Sequence, residues 1–115
     1  MKYLPLFTII ILTLISCNED RSQRRKAVDL IDSAYKAIEN NENQSAINSA
    51  KKAIKIYTEI SDTTGIIESN YLISRASALK GDFDNAILHG EKGSHLCKSI
   101  ENYPLEYKIN NTFLI

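Results

Sequence analysis

The chain has 115 residues, which is enough for one small domain, and an apolar fraction of 43% excludes a disordered polypeptide. Four glycines and two prolines are too few for an all-β fold with many turns, so the composition favours helices. The 14 basic and 14 acidic residues leave no net charge that would draw the protein towards nucleic acid.

The first segment has the layout of a secretory signal. Lys2 precedes an apolar run over residues 3–15, and a helix of that length is shorter than the roughly 20 residues needed to span a bilayer. A short basic group follows at residues 21–26, among acidic neighbours. Because its charges are mixed, we interpret it mainly as a solvated tether, with a weak attraction to anionic head groups as the alternative.

The end of this segment, Leu14-Ile15-Ser16-Cys17, resembles the lipobox of bacterial lipoprotein signal peptides. The resemblance implies cleavage before Cys17 and lipid on its thiol, and two or three acyl chains anchor a protein stably. We therefore expect a signal peptide over residues 1–16 and a lipidated cysteine with its tether over residues 17–25. The alternative is an ordinary signal peptide or short membrane anchor in which the cysteine is incidental.

The location of the anchored protein follows from the same resemblance. Export and lipid attachment would place it on the cell envelope, and we expect the outer membrane. Glu19-Asp20 is similar to the surface-export signal of Bacteroidota lipoproteins, which adds the hypothesis of surface display.

Helical periodicity predicts four helices after residue 25. The first carries an apolar stripe and ends near Asn40, Asn41 and Asn43, and Ser45 is the candidate N-cap of the second. These two stripes comprise Ala27, Leu30, Ile31, Ala34 and Ile38, then Ala46, Ala50, Ala53, Ile54 and Tyr57.

The third and fourth helices are separated by a clear turn signal. Residues 61–65 form a break with N-cap candidates, and the third helix is predicted over about 66–79. Gly81 suits the left-handed position that ends a helix, and Asp82 suits the N-cap of the fourth helix, predicted over about 83–100.

Two halves of the body match at an offset of 40 positions. Small residues recur where small residues occurred, as expected where helices approach closely at fixed points. The matched pairs are Ala46 with Ala86, Ile47 with Ile87, Ala50 with Gly90, Ala53 with Gly93, Ile56 with Leu96, and Ile60 with Ile100.

The stretch Lys80-Gly81-Asp82-Phe83-Asp84-Asn85-Ala86-Ile87 resembles the turn and second-helix start of a tetratricopeptide repeat (TPR). Ile73 and Ser74 match the large and small sites of the first helix, as do Leu30 and Ala34 one repeat earlier. The resemblance implies an all-α fold over residues 26–115, with antiparallel helix pairs stacked as a short right-handed solenoid of about two and a half repeats. The implied packing residues are Leu30, Ala34, Ala46, Ala53, Ile73, Ser74, Gly81, Ala86 and Gly93.

The sequence departs from the TPR pattern mainly in its second repeat. Asn70 and Ser77 replace usual aromatic residues, and Gly90 and Gly93 replace an aromatic residue and an alanine. Because glycine within a helix costs about 0.5–1 kcal/mol relative to alanine, the second repeat should be the looser one. A generic bundle of four or five helices is the alternative fold.

The C-terminal segment predicts the beginning of a further helix. Pro104 suits a first helical turn, and residues 107–115 align with a first repeat helix. The apolar end, Phe113-Leu114-Ile115, is unlike the polar helix that usually caps a solenoid.

The sequence contains no recognisable catalytic or metal-binding pattern. His89 and His95 are six residues apart, which predicts different helical faces, and neither has a ligand at metal-binding spacing. Cys97 is interpreted as a small buried hydrophobic residue, with a disulfide-linked dimer as the minor alternative. We expect no enzyme activity, cofactor, metal or nucleic-acid partner.

Three functions remain open at this point. The TPR resemblance implies binding of a protein or peptide in a groove along the first helices, with Tyr35, Glu68, Tyr71 and Arg75 as the polar groove residues. The wider set of groove positions is Val28, Ile31, Tyr35 and Ile38, then Glu68, Tyr71, Arg75 and Leu79. The alternatives are a truncated extracytoplasmic sensor part of a longer signalling protein, and an envelope scaffold without a specific ligand.

Overall fold

The computed structural model describes residues 4–100, with side chains from residue 17 onwards. It contains α1 (Leu4–Glu39), α2 (Asn43–Glu59), α3 (Thr63–Lys80) and α4 (Phe83–Ser99). Each helix packs against the next in the chain, and α1 also contacts α3. The prediction of an all-α fold is confirmed. The helix start predicted at Pro104 and the apolar end at residues 113–115 lie outside the described residues.

α1 is longer than the sequence pattern indicated. It runs without a break through the predicted tether, and from residue 17 onwards the first buried side chain is Ala27, which is fully buried. Residues 17–26 are exposed except for the half-buried Gln23, so they form a solvated helical stalk. Continuity is favoured because no glycine or proline occurs between Pro5, in the first turn, and Gly65.

Three turns of one design connect the helices. Their central residues have left-handed φ angles of 61° at Asn41, 56° at Ser61 and 85° at Gly81. In each turn, the next main-chain N–H donates to the carbonyl five residues earlier, as in a Schellman motif. These bonds are Glu42 to Ala37 (2.8 Å), Asp62 to Tyr57 (2.8 Å) and Asp82 to Ser77 (2.9 Å). One helix with its turn therefore occupies 20 residues, half the period found in the sequence.

The N-cap residues of α2, α3 and α4 also recur every 20 positions, and two of the three make a side-chain capping bond. The Asp62 carboxylate accepts from the N–H of Gly65 at 3.0 Å, and Asp82 accepts from the N–H of Asn85 at 3.3 Å. The capping prediction for Asp82 is confirmed, and Asp62 is the residue of the predicted break at 61–65 that caps α3. The prediction for Ser45 is wrong: α2 begins at Asn43, and its N-cap is Glu42, whose side chain makes no capping bond. Each helix begins two residues after the left-handed residue of the preceding turn. This holds for α2 after Asn41, for α3 after Ser61 and for α4 after Gly81.

Small side chains lie where the helices meet. All three small–small pairs at the offset of 40 are buried, including Gly90 and Gly93 in α4. Among the packing residues implied by the TPR resemblance, Gly81 occupies its turn and Leu30 is half-buried at the edge of the core. The others are buried: Ala34, Ala46, Ala53, Ile73, Ser74, Ala86 and Gly93.

The matched pair of Ile47 and Ile87 differs most clearly in its surroundings. Ile47 is buried in α2, between α1 and α3, whereas Ile87 in α4 is 48% exposed. Within the described part of the chain, α4 packs against α3 alone. The difference thus reflects the neighbours of each helix rather than its own sequence.

Gly65 has a packing role that the sequence pattern did not reveal. It was interpreted as part of a helix break, but it lies in the first turn of α3 and is buried. A Cβ atom at this position would clash with the Cγ, Cδ1 and Cε1 atoms of the Tyr57 ring, and this tyrosine is only 4% exposed. The missing side chain therefore makes room for the tyrosine at the end of α2.

Candidate functional site

One side-chain contact joins α1 to the N-cap of α3, and a second joins α1 to α3 itself. Arg24 Nε lies 3.2 Å from Asp62 Oδ2, and the Tyr35 hydroxyl donates to Glu68 Oε1 at 3.0 Å. The two contacts follow the same order along both helices, so α1 and α3 run in the same direction. Since they are joined through α2, they form neighbouring parallel elements of one surface.

Tyr35 and Glu68 form the polar centre of this surface. Burial raises the pKa of Tyr35 well above its usual range, and the charge and hydrogen bond of Glu68 raise it further. A smaller contribution from Tyr71 acts in the same direction, while the Arg75 guanidinium opposes these effects. The phenol therefore remains protonated at neutral pH and acts as a hydrogen-bond donor to Glu68.

The predicted groove residues are divided between surface and core. Val28 and Leu79 are 44% and 52% exposed, and Glu68 and Arg75 are half-buried. Two of the predicted groove positions, Ile31 and Ile38, belong instead to the hydrophobic core, as does Tyr71 at 7% exposure. Tyr71 therefore offers little area for stacking. The α1/α3 face is defined here as Val28, Tyr35, Glu68, Arg75 and Leu79.

The α1/α3 face combines apolar and charged groups. Val28 lies two turns before Tyr35, and Leu79 lies one turn after Arg75, so the two apolar side chains occupy the same sides of their helices as the polar ones. Among residues 17–100, Arg75 forms no ion pair. Its guanidinium group retains donors that suit a carboxylate or a main-chain carbonyl.

The two cysteines lie in opposite environments. Cys17 is exposed on the stalk of α1, and Cys97 is completely buried in α4 and belongs to the core. The interpretation of Cys97 as a buried hydrophobic residue is confirmed.

A second polar cluster escaped the sequence reasoning. His89 and His95 were expected on different helical faces, but both line one cavity of about 480 Å³ between α2 and α4. The two faces are compatible with one cavity, because a cavity extending over two helical turns can include side chains from adjacent faces. Its third wall is α3, which contributes the buried Asn70, one of the departures from the TPR pattern.

Neither metal-binding nor membrane-spanning features occur in the described residues. No group of three or more His, Cys, Asp or Glu side chains there has an arrangement that could hold a metal ion. No helix within residues 4–100 has both the length and the apolar character needed to cross a membrane.

Comparison with known proteins adds no family assignment. No family model matches the chain, and no curated protein or solved structure matches it at a significant level.

Proposed function

We propose that this chain is a membrane-anchored lipoprotein whose TPR-like helical repeat binds an extended segment of a partner protein along the α1/α3 face. The observation that carries the proposal is the pairing of Tyr35 with Glu68 across two parallel helices, beside Arg75. The face presents polar groups at its centre and exposed apolar side chains towards its ends.

The repeating architecture supports the TPR-like interpretation. Helix, turn and cap recur every 20 residues, and two such units form the 40-residue repeat. α1 and α3 then occupy equivalent places in successive repeats. In repeat proteins, equivalent helices form an extended surface that suits an extended ligand.

The chemistry of the face defines the segment that it would bind. Arg75 would pair with a carboxylate, or with main-chain carbonyl groups, of the partner. Val28 and Leu79 would cover apolar side chains on either side of that contact, and their exposure leaves both accessible. The hydroxyl of Tyr35 is already bonded to Glu68, so this pair would shape the surface rather than supply a free donor.

Lipid on Cys17 would hold this face at a fixed distance from the membrane. The helix from Cys17 to Ala27 is about 15 Å long at 1.5 Å per residue, and its side chains are almost all exposed. A continuous helix restricts orientation more than an unstructured tether does. The partner would therefore be bound close to the membrane surface.

Site-specific photo-crosslinking tests the binding face. A photoreactive amino acid would be placed at Val28 or Leu79 and, as the matched control, at the exposed Leu88 of α4. We expect one shared protein partner at the first two positions and not at the third. Adding Arg75→Gln should reduce that product at least about tenfold, whereas Arg25→Gln on the stalk should leave it unchanged. Equal products at all three positions would refute the binding face.

Metabolic labelling tests the anchor separately. Cells expressing the full chain would be grown with an alkyne-tagged fatty acid, and the wild type compared with Cys17→Ser. We expect label and membrane fractionation only for the wild type, while Cys97→Ser, which changes the buried cysteine, retains both. Identical labelling and processing of the Cys17→Ser chain would exclude the lipoprotein assignment.

A further inference from the structure

We propose that the cavity between α2 and α4 is a binding site for a small organic carboxylate that carries a short apolar stem. This α2/α4 pocket is bounded by α2, α3 and α4. Ile66 and Asn70 lie on the opposite side of α3 from Glu68 and Arg75 at 3.6 residues per turn. The proposal is therefore independent of the α1/α3 face and of lipid on Cys17.

The dimensions and lining of the pocket suit a small amphipathic molecule. Its volume of about 480 Å³ falls in the range of sites for small ligands. Ile54, Ile66 and Leu96 supply an apolar surface from three different helices. Such a surface accommodates an aliphatic or aromatic stem, and inorganic ions alone would leave it in contact with water.

The ionisable groups that line the pocket within the described part of the chain are all basic. Lys51 enters from α2, and His89, Lys92 and His95 enter from α4. Among residues 17–100, none of those that line the pocket is acidic, and α3 contributes no charged group to the lining. Burial lowers the pKa of His89 most, and Lys92 and Lys51, which lie on different helices, lower it further. An anion placed between them would relieve this repulsion.

A buried amide holds His89 in a defined orientation. Asn70 is 4% exposed, and its Nδ2 donates to the main-chain carbonyl of Ile66 at 3.0 Å. That bond directs Asn70 Oδ1 towards His89 Nδ1, which is 2.9 Å away. The proton of the neutral imidazole is consequently on Nδ1.

The fixed imidazole distinguishes this pocket from an ordinary solvated lysine surface. Position 70 carries a buried polar residue inside a helix interface, and its amide orients a neighbouring ring. A metal ion is disfavoured as the occupant, because two lysine ammonium groups would repel it. The carboxylate of the ligand would instead lie between Lys51 and Lys92, with its stem on the apolar wall.

Titration with three isosteric probes tests the proposal. The full-length chain would be titrated with 4-phenylbutyrate, 4-phenylbutylamine and 4-phenylbutanol, followed by amide and imidazole NMR signals. We expect saturable shifts at His89 and Leu96 with the carboxylate alone, together with a rise in the pKa of His89. A phosphate monoester with the same stem would show whether the site accepts anions generally or selects carboxylates.

Two matched double variants identify the charges responsible. Lys51→Gln/Lys92→Gln removes both pocket charges, and Lys36→Gln/Lys52→Gln removes two exposed charges outside the pocket. We expect affinity for 4-phenylbutyrate to fall at least about tenfold in the first variant and to be unchanged in the second. Three results would each overturn the proposal. These are equal binding of the amine and the carboxylate, an equal loss of affinity in both double variants, and the absence of a saturable NMR shift at millimolar carboxylate.

Discussion

The Ser74 hydroxyl donates a hydrogen bond of 2.6 Å to the main-chain carbonyl of Ala86, and so joins the middle of α3 to the first turn of α4. Both residues are almost completely buried. The position equivalent to Ser74 in the first repeat is Ala34, which has no hydroxyl group. The second helix pair therefore has a polar link that the first pair lacks at this position.

Replacing Ser74 with alanine measures this link directly. Ser74→Ala removes the hydroxyl donor and leaves Ala86 in its place in α4. We therefore expect the substitution to lower the free energy of unfolding by about 0.5–1.5 kcal/mol, the contribution of one hydrogen bond. Urea denaturation followed by circular dichroism would measure the change. The control is Ser33→Ala, since Ser33 is exposed and bonds only to Asp29 in its own helix. Equal effects of the two substitutions would contradict the assigned role.

The contact of Gly65 with Tyr57 predicts a strong effect from one methyl group. We expect Gly65→Ala to destabilise the protein by about 1–3 kcal/mol, because the tyrosine ring must move to accommodate Cβ. The neighbouring Thr64 is exposed, and Thr64→Ala serves as the control. In a double-mutant cycle, Tyr57→Ala should reduce the cost of the added methyl group, and strict additivity of the two changes would argue against this contact.

Adding a side chain at one left-handed turn position should lower stability, and removing a side chain at another should not. Gly81→Ala should cost about 1 kcal/mol through the backbone alone, because an added Cβ meets no atom within 4 Å. Ser61 has nearly the same backbone conformation but carries a side chain, so Ser61→Gly should be neutral or stabilise by up to about 1 kcal/mol. Thermal unfolding of both variants checks the pair, and a loss of stability in Ser61→Gly would count against the turn geometry.

The lowered pKa of His89 predicts that stability depends on pH. Burial lowers the pKa most, and Lys92 and Lys51 lower it further, so the unfolded chain binds a proton more readily than the folded one. The contribution of His89 to stability is complete above its pKa of about 6.5 in the unfolded chain. It is lost as the pH falls towards the lower pKa of His89 in the folded chain. Stability should therefore increase with pH over that interval.

Urea denaturation at a series of pH values isolates this effect. His89→Gln should have a flatter profile than the wild type, because it removes the group whose pKa differs between the folded and unfolded states. His95→Gln retains His89 and serves as the control. If the wild type and His89→Gln have parallel profiles between pH 5 and about 7, the shift does not contribute to stability.

Local sequence signals predicted much of the fold. The helical class, the turn at Gly81, the caps at Asp62 and Asp82, and the burial of the small residues all follow from hydrophobic periodicity and turn chemistry. The 20-residue period was missed because its three turns use Asn41, Ser61 and Gly81 at the same position. Different residue types can adopt one backbone conformation, so sequence comparison detected only the 40-residue match.

The surfaces were predicted less completely because they depend on contacts between distant helices. Tyr35, Glu68 and Arg75 lie near one another in the structure, but the repeat alignment could not distinguish the buried Tyr71 from an exposed groove residue. The pocket at His89 depends on Asn70, which is 19 positions away in the chain. Only the packing of α4 on α3 brings these two residues together.

The succession of contacts between neighbouring helices also determines how the chain can fold. Most tertiary contacts join residues in adjacent elements, so little loop-closure entropy is lost as each helix adds to the previous one. Folding should be rapid and can begin at any adjacent pair, then spread in either direction. The same connectivity allows one terminal helix to detach while the remaining pairs stay assembled, which would make opening from the ends the main route of unfolding.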